Sequence, residues 1–126
     1  MNWRQYVILA KGLSRQPFES TKRSAASRAY YGAFNLCRHW LEANVTPIDD
    51  RGAHRQVWTT FKAAERATPD TRANWRLVGN LGDSLHLLRN QVDYDDQVSE
   101  LDARSQAAVG IAERILLLLP ELRVAE

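Results

Sequence analysis

Apolar residues recur every three to four positions along most of this chain, the period of a helix with one buried face. Trp3, Tyr6, Val7, Ala10 and Leu13 form the first such stripe and predict a helix over Trp3–Ser14. Pro17 closes it, because proline disfavours helical geometry in the residue before it. A longer helix is predicted over Glu19–Asn44, with Ala26, Tyr30, Ala33, Cys37 and Leu41 on its core stripe. Beside that stripe runs a polar and aromatic one: Ser20, Ser24, Ser27, Tyr31 and Arg38.

Three more helices follow. Residues 51–67 place His54, Val57, Trp58, Phe61 and Ala64 on one face, and Asp50 is the expected N-cap, its carboxylate accepting first-turn amides. Residues 72–92 carry a core stripe of Val78, Leu81, Leu85, Leu88 and Val92. A quarter-turn away lie Trp75, Gly79, Gly82, His86, Arg89 and Asp93. Two glycines inside a helix weaken it by about 1 kcal/mol each relative to alanine, so this stripe is expected to meet a closely approaching neighbour. Residues 100–119 have Leu101, Ala108, Ile111, Ile115 and Leu118 inward, with Ser99 and Asp102 resembling a capping box and Pro120 as the stop. Nothing reads as a strand. The expected fold is all-α: an antiparallel bundle of four to five helices, one domain over residues 1–126, joined by short loops.

Composition fits this reading. A chain of 126 residues with 44% hydrophobic and 25% charged residues can bury a core without disulfides or structural metal. Its single cysteine, Cys37, reads as a small core residue, and the three histidines lack metal-ligand spacing, so no metal and no cofactor is expected. No apolar run has the length of a signal-peptide core or a membrane span, which predicts a cytoplasmic protein with no membrane partner. The net charge of +2 hides an asymmetry: residues 1–40 carry +6 and residues 93–126 carry −5. Such asymmetry marks either a nucleic-acid face or an acidic C-terminal helix lying beside basic N-terminal ones.

The segment Arg89-Asn90-Gln91-Val92-Asp93-Tyr94-Asp95 ends the fourth predicted helix. Arg89 and Asp93, four apart, make either a surface ion pair or a phosphate anchor, with Asn90 and Asp93 steadying a guanidinium fork that suits phosphate oxygens. His86, one turn earlier, is either an ordinary helix histidine or a proton carrier near Arg89. His54 reads as a half-buried histidine on an apolar face. His39 belongs to no motif. Ser27, Arg28 and Tyr31 are polar groups flanking the core stripe, placed to form a polar pocket with the fourth helix. No glycine-rich nucleotide loop or Ser/His/Asp hydrolase signature is present.

Taken together, Ser27-Arg-Ala-Tyr-Tyr-Gly-Ala-Phe34, then Gly52-Ala-His54, then Leu88-Arg-Asn-Gln-Val-Asp-Tyr-Asp95 resemble the HEPN (higher eukaryotes and prokaryotes nucleotide-binding) domain family, over roughly residues 3–119. The resemblance implies a helical bundle that forms a homodimer. It also implies binding of RNA or a nucleotide at a dimer cleft, through Arg89, Asn90, Ser27, Arg28, Tyr31 and His54, in a toxin–antitoxin or defence system. Nucleolytic members are metal-independent ribonucleases in which an arginine is followed, after four to six residues, by histidine. Arg89 matches that arginine, but positions 94–96 are Tyr94, Asp95 and Asp96. The chain is thus of an R-x-x-x-D-Y kind, in which Asp93, Tyr94 or His86 would have to replace the histidine if there is catalysis. The alternative is a catalytically degenerate subunit that only binds a nucleotidyltransferase antitoxin or a larger effector protein.

Overall fold

Helix ends in this protein are set by caps and by the places where the apolar stripe stops. The structure, a computed structural model, describes residues 2–94 and 100–126. It is all-helical. α1 spans Trp3–Ser14, α2 Glu19–Asn44, α3 Ala53–Ala63, α4 Arg72–Tyr94 and α5 Leu101–Leu118, followed by a 3-10 turn at Leu119–Glu121. Asn2 starts α1: its side-chain oxygen accepts from the amides of Arg4 and Gln5 at 3.1 and 3.4 Å. α1 packs along α2, α5 packs against α1, α2 and α4, and α3 leans chiefly on α4. No helix is long and apolar enough to cross a membrane, among the described residues.

The core stripe of α2 is fully buried, as its spacing predicts: Ala26, Tyr30, Ala33, Cys37 and Leu41 have no exposed surface. Burial with no charged partner pushes the Cys37 thiol well above its ordinary value, which keeps it protonated. On α4, Val78, Leu85 and Val92 are buried, and Leu81 and Leu88 partly so.

The glycine stripe of α4 lies against α3. A Cβ built at Gly79 would stand 2.9 Å from the Trp58 carbonyl oxygen, and one at Gly82 would stand 2.2 Å from Cε3 of the Trp58 ring. The glycines remove the bulk that would hold the two helices apart, so the indole of Trp58 lies directly on the α4 backbone.

Both ends of α3 differ from the sequence reading. Asp50 does not cap α3. Its carboxylate pairs with Arg38 on α2 at 2.6 Å, and Gly52, left-handed at φ 74°, takes the N-cap position. α3 is also shorter than residues 51–67, because Ala64 turns left-handed at φ 51° and the chain then meets the C-terminal tail. There the Thr68 amide donates to the Arg123 carbonyl at 3.1 Å and the Ala125 amide to Arg66 at 2.7 Å. These backbone bonds, with an isolated bridge between Ala67 and Val124, replace the helix's last turn. At the start of α5, Ser99 lies outside the described residues; the carboxylate of Asp102 is engaged by Lys22 on α2 and by Gln106 at 3.2 Å.

The charge asymmetry is partly consumed inside the bundle. Lys22 pairs with Asp102, and Lys11 lies 3.5 Å from Glu113, so basic α1 and α2 sit against acidic α5.

Candidate functional site

α2, α3 and α4 bring Tyr30, Tyr31, Phe34, His54, His86 and Arg89 into one cluster. Tyr30 is its centre. On the apolar stripe of a long helix its ring is completely buried, and a buried phenol needs partners for its hydroxyl. Trp58 Nε1 donates to the Tyr30 oxygen at 3.1 Å, and that oxygen lies 2.6 Å from Nδ1 of His54. An indole can only donate, so the phenol hydrogen is free to point to His54. The imidazole then accepts at Nδ1 and carries its proton on Nε2. Burial, relieved only in part by the Trp58 bond, raises the Tyr30 hydroxyl far above its ordinary value of 10.0, which keeps that hydrogen in place.

Both histidines are half-buried, and their rings lie nearly parallel, 5.1 Å between centres and 20° apart. Tyr30 stacks on His86 at 4.7 Å and 13°, and Phe34 stacks on His54 at 4.1 Å and 12°. Among the described residues no hydrogen bond engages either nitrogen of His86 or Nε2 of His54. Desolvation lowers the pKa of both from 6.5. His86 and the cations Arg89 and Arg38 push His54 down further, while for His86 the effect of Arg89 is opposed by Asp83.

Arg89 lies one turn along α4 from His86. Its guanidinium carbon is 5.2 Å from the centre of the Tyr31 ring and 5.4 Å from that of Tyr94. Nη1 donates to Asn90 Oδ1 at 3.1 Å and, more weakly, to the Tyr94 hydroxyl at 3.4 Å. Nε lies 2.8 Å from Asp93 Oδ2, but the carboxylate sits off the N–H direction, so this is an ion contact in which the buried Nε–H has no directed acceptor. Nη2 has no hydrogen-bond partner among the described residues. Desolvation works against the charge of Arg89, yet Tyr31, Asp93 and Tyr94 raise its pKa overall and the guanidinium stays cationic. The side chain is only 15% exposed, so the pair with Asp93 is not the open surface pair that spacing alone allows.

The expected residues divide into two groups. Arg89, Asn90, Asp93, Tyr94, Tyr31, His54 and His86 come together. No hydrogen bond or ion pair joins Ser27 or Arg28 to Arg89; Arg28 is exposed and bonds Ser24 at 3.3 Å. With Trp3, Tyr6, Asn35 and Tyr31 they line a shallow hollow of about 320 Å³, which reaches the cluster only through Tyr31. Residues three and four apart share one side of a helix, so Ser27 and Arg28 lie beside Tyr31 on the side of α2 where Trp3 and Tyr6 of α1 close the hollow. His39 is exposed and lies outside the cluster. Asp95 and Asp96 lie outside the described residues. The sequence reading gave Tyr30, Phe34 and Trp58 only a packing role; here they form the wall that fixes the histidines. The signal for Tyr30 was that a phenol on a core stripe must find a polar partner. No group of three or more metal-ligating side chains occurs among the described residues.

No protein-family model, curated protein or solved structure matches the chain.

Proposed function

We propose that this chain is an RNA-binding module of the HEPN kind, acting in a toxin–antitoxin or defence setting, with Arg89 as its phosphate anchor. The observation that carries this reading is the state of Arg89. It is a cation held between two tyrosine rings and two polar side chains, and among the described residues one terminal nitrogen has no hydrogen-bond partner. A pre-positioned planar fork loses little freedom on meeting a phosphate. Tyr31 and the largely exposed Tyr94 offer ring faces on which a base can stack. In this reading two copies of the chain pair, as the resemblance implies, and place two Arg89 groups along one cleft.

The test is binding of a single-stranded RNA as salt is raised, with wild type and Arg89→Ala. Contacts to phosphates make affinity fall steeply with salt. Arg89→Ala should weaken binding and flatten the salt slope. Absence of binding at low salt would remove RNA as the ligand. Sedimentation of the free protein tests the homodimer.

A second reading is favoured by one sequence fact, that positions 94–96 hold Tyr, Asp and Asp where the nucleolytic pattern has histidine. In it the chain is a non-catalytic subunit that binds a nucleotidyltransferase or a larger effector. A complex with such a partner, together with no RNA binding, would favour it.

A further inference from the structure

We infer that the face between α1 and α5 docks an acidic amphipathic helix of a partner protein, whose apolar stripe seats between Ile8 and Leu117 and whose carboxylates meet Arg4, Lys11 and Arg15. This face shares no residue with the cluster around Arg89, and the inference does not depend on RNA binding there.

The shape comes from two helices packed side by side. Between α1 and α5 lies a groove of about 400 Å³. Val7, buried, and Leu116, half-buried, form its floor. Its walls are Ile8 and Leu117, which are 69% and 77% exposed. Outward positions of a helix ordinarily hold polar residues, and here each helix places a large aliphatic side chain there, on either side of one hollow. Among the described residues nothing covers them. Contiguous apolar surface with a polar rim marks an interaction site. A hollow between two helices accepts a third, which lays apolar residues spaced by three and four along the floor.

Charge selects the occupant. Arg4, Ile8, Lys11 and Arg15 are spaced by four, three and four, so they share one side of α1. That side holds three cations and no acid over about 16 Å, or three helical turns. Lys11 lies 3.5 Å from Glu113 on the other wall, the one carboxylate lining the groove. Arg4 and Arg15 make no ion pair among the described residues. A second copy would set three cations against three, and like charges brought together oppose binding. An anionic bilayer would meet Glu113 with its own charge, and its flat surface would leave Val7 and Leu116 uncovered. A helix with carboxylates flanking an apolar stripe fills the floor and pairs with the free arginines.

The experiment uses the full chain and stapled helical peptides of about three turns. One carries leucines spaced by three and four with flanking glutamates. A second has lysines in place of the glutamates, and a third has serines in place of the leucines. Fluorescence anisotropy should show saturable binding of the glutamate peptide, weakening as salt is raised, and far weaker binding of the other two. Amide shifts in an NMR titration should map to α1 and α5. Ile8→Asp and Leu117→Asp should each weaken binding about tenfold or more, since each removes a buried aliphatic side chain. Arg4→Glu should weaken the glutamate peptide and strengthen the lysine one. All three substitutions are at exposed positions, and circular dichroism checks that the variants fold.

The inference is overturned if the glutamate peptide does not bind, if the lysine peptide binds as well, if the shifts map elsewhere, or if the folded variants bind like wild type. Two further results would assign the face to another occupant and overturn it too. One is self-association in sedimentation that Ile8→Asp and Leu117→Asp abolish. The other is binding to phosphatidylserine vesicles, lost in the same variants, with none to the glutamate peptide.

Discussion

The hydroxyl oxygen of Tyr30 lies 2.6 Å from Nδ1 of His54. This contact joins a fully buried core residue to a half-buried imidazole and links the stability of the bundle to the state of the site. Tyr30→Phe keeps the ring but leaves the Trp58 indole N–H buried without its acceptor. An unsatisfied buried donor costs about 1–3 kcal/mol. Urea denaturation should show a lower midpoint, shifted by that free energy divided by an unchanged slope, and an unchanged midpoint would mean that the hydrogen bond adds no stability.

The histidines make stability depend on pH. In the folded chain both have pKa values below 6.5, lowered first by burial. As pH falls below 6.5, the unfolded chain takes up protons that the folded chain does not, and stability rises with pH wherever that holds. Stability should therefore decline from pH 7.5 towards the folded-state pKa values and level off below them as far as these two groups are concerned. Replacing both histidines by glutamine should flatten the decline, as read from denaturation midpoints across that range. An equally steep decline in the double variant would assign the effect to other groups.

The interior glycines should not behave alike. Gly110 and Gly12 have open space around them, and alanine there should stabilise by about 0.5–1 kcal/mol through helix propensity. At Gly82 the added carbon meets the Trp58 ring, and overpacking of this kind costs about 1–3 kcal/mol. Gly82→Ala should thus lower the melting temperature while Gly110→Ala raises it, and Gly82→Leu should prevent α3 from docking.

Gly52 is required by its backbone. Its φ of 74° lies in the left-handed region, where a side chain costs about 1–2 kcal/mol. No atom lies within 4 Å of a Cβ built there, so the penalty of Gly52→Ala is conformational rather than steric. Because His54 follows two residues later, the variant should also change the histidine ring resonances, observed by NMR titration.

How much of this was readable in advance follows from the range of each interaction. The helices and the buried stripe of α2 depend on a local period, and spacing alone located them. The glycines of α4 announced a close neighbour but not its identity. Asp50 has the right chemistry for an N-cap, and only the return of the loop to α2 shows that Arg38 claims it. The resemblance singled out Arg89, Asn90 and Asp93, which are close in sequence and meet within one helix end. Ser27 and Arg28 belong to the same motif as Tyr31, yet they line a hollow with Trp3 and Tyr6 of α1 and form no hydrogen bond with Arg89.

Residue order by itself determined that the chain is helical, which faces are apolar, and that a cation, an amide and a carboxylate end one helix. Each is fixed by neighbours within a turn. The meeting of His54 with His86 was decided by tertiary structure. They are 32 positions apart on different helices, and their 5.1 Å separation depends on α3 closing over Gly79 and Gly82 while Tyr30 fills the space between α2 and both rings.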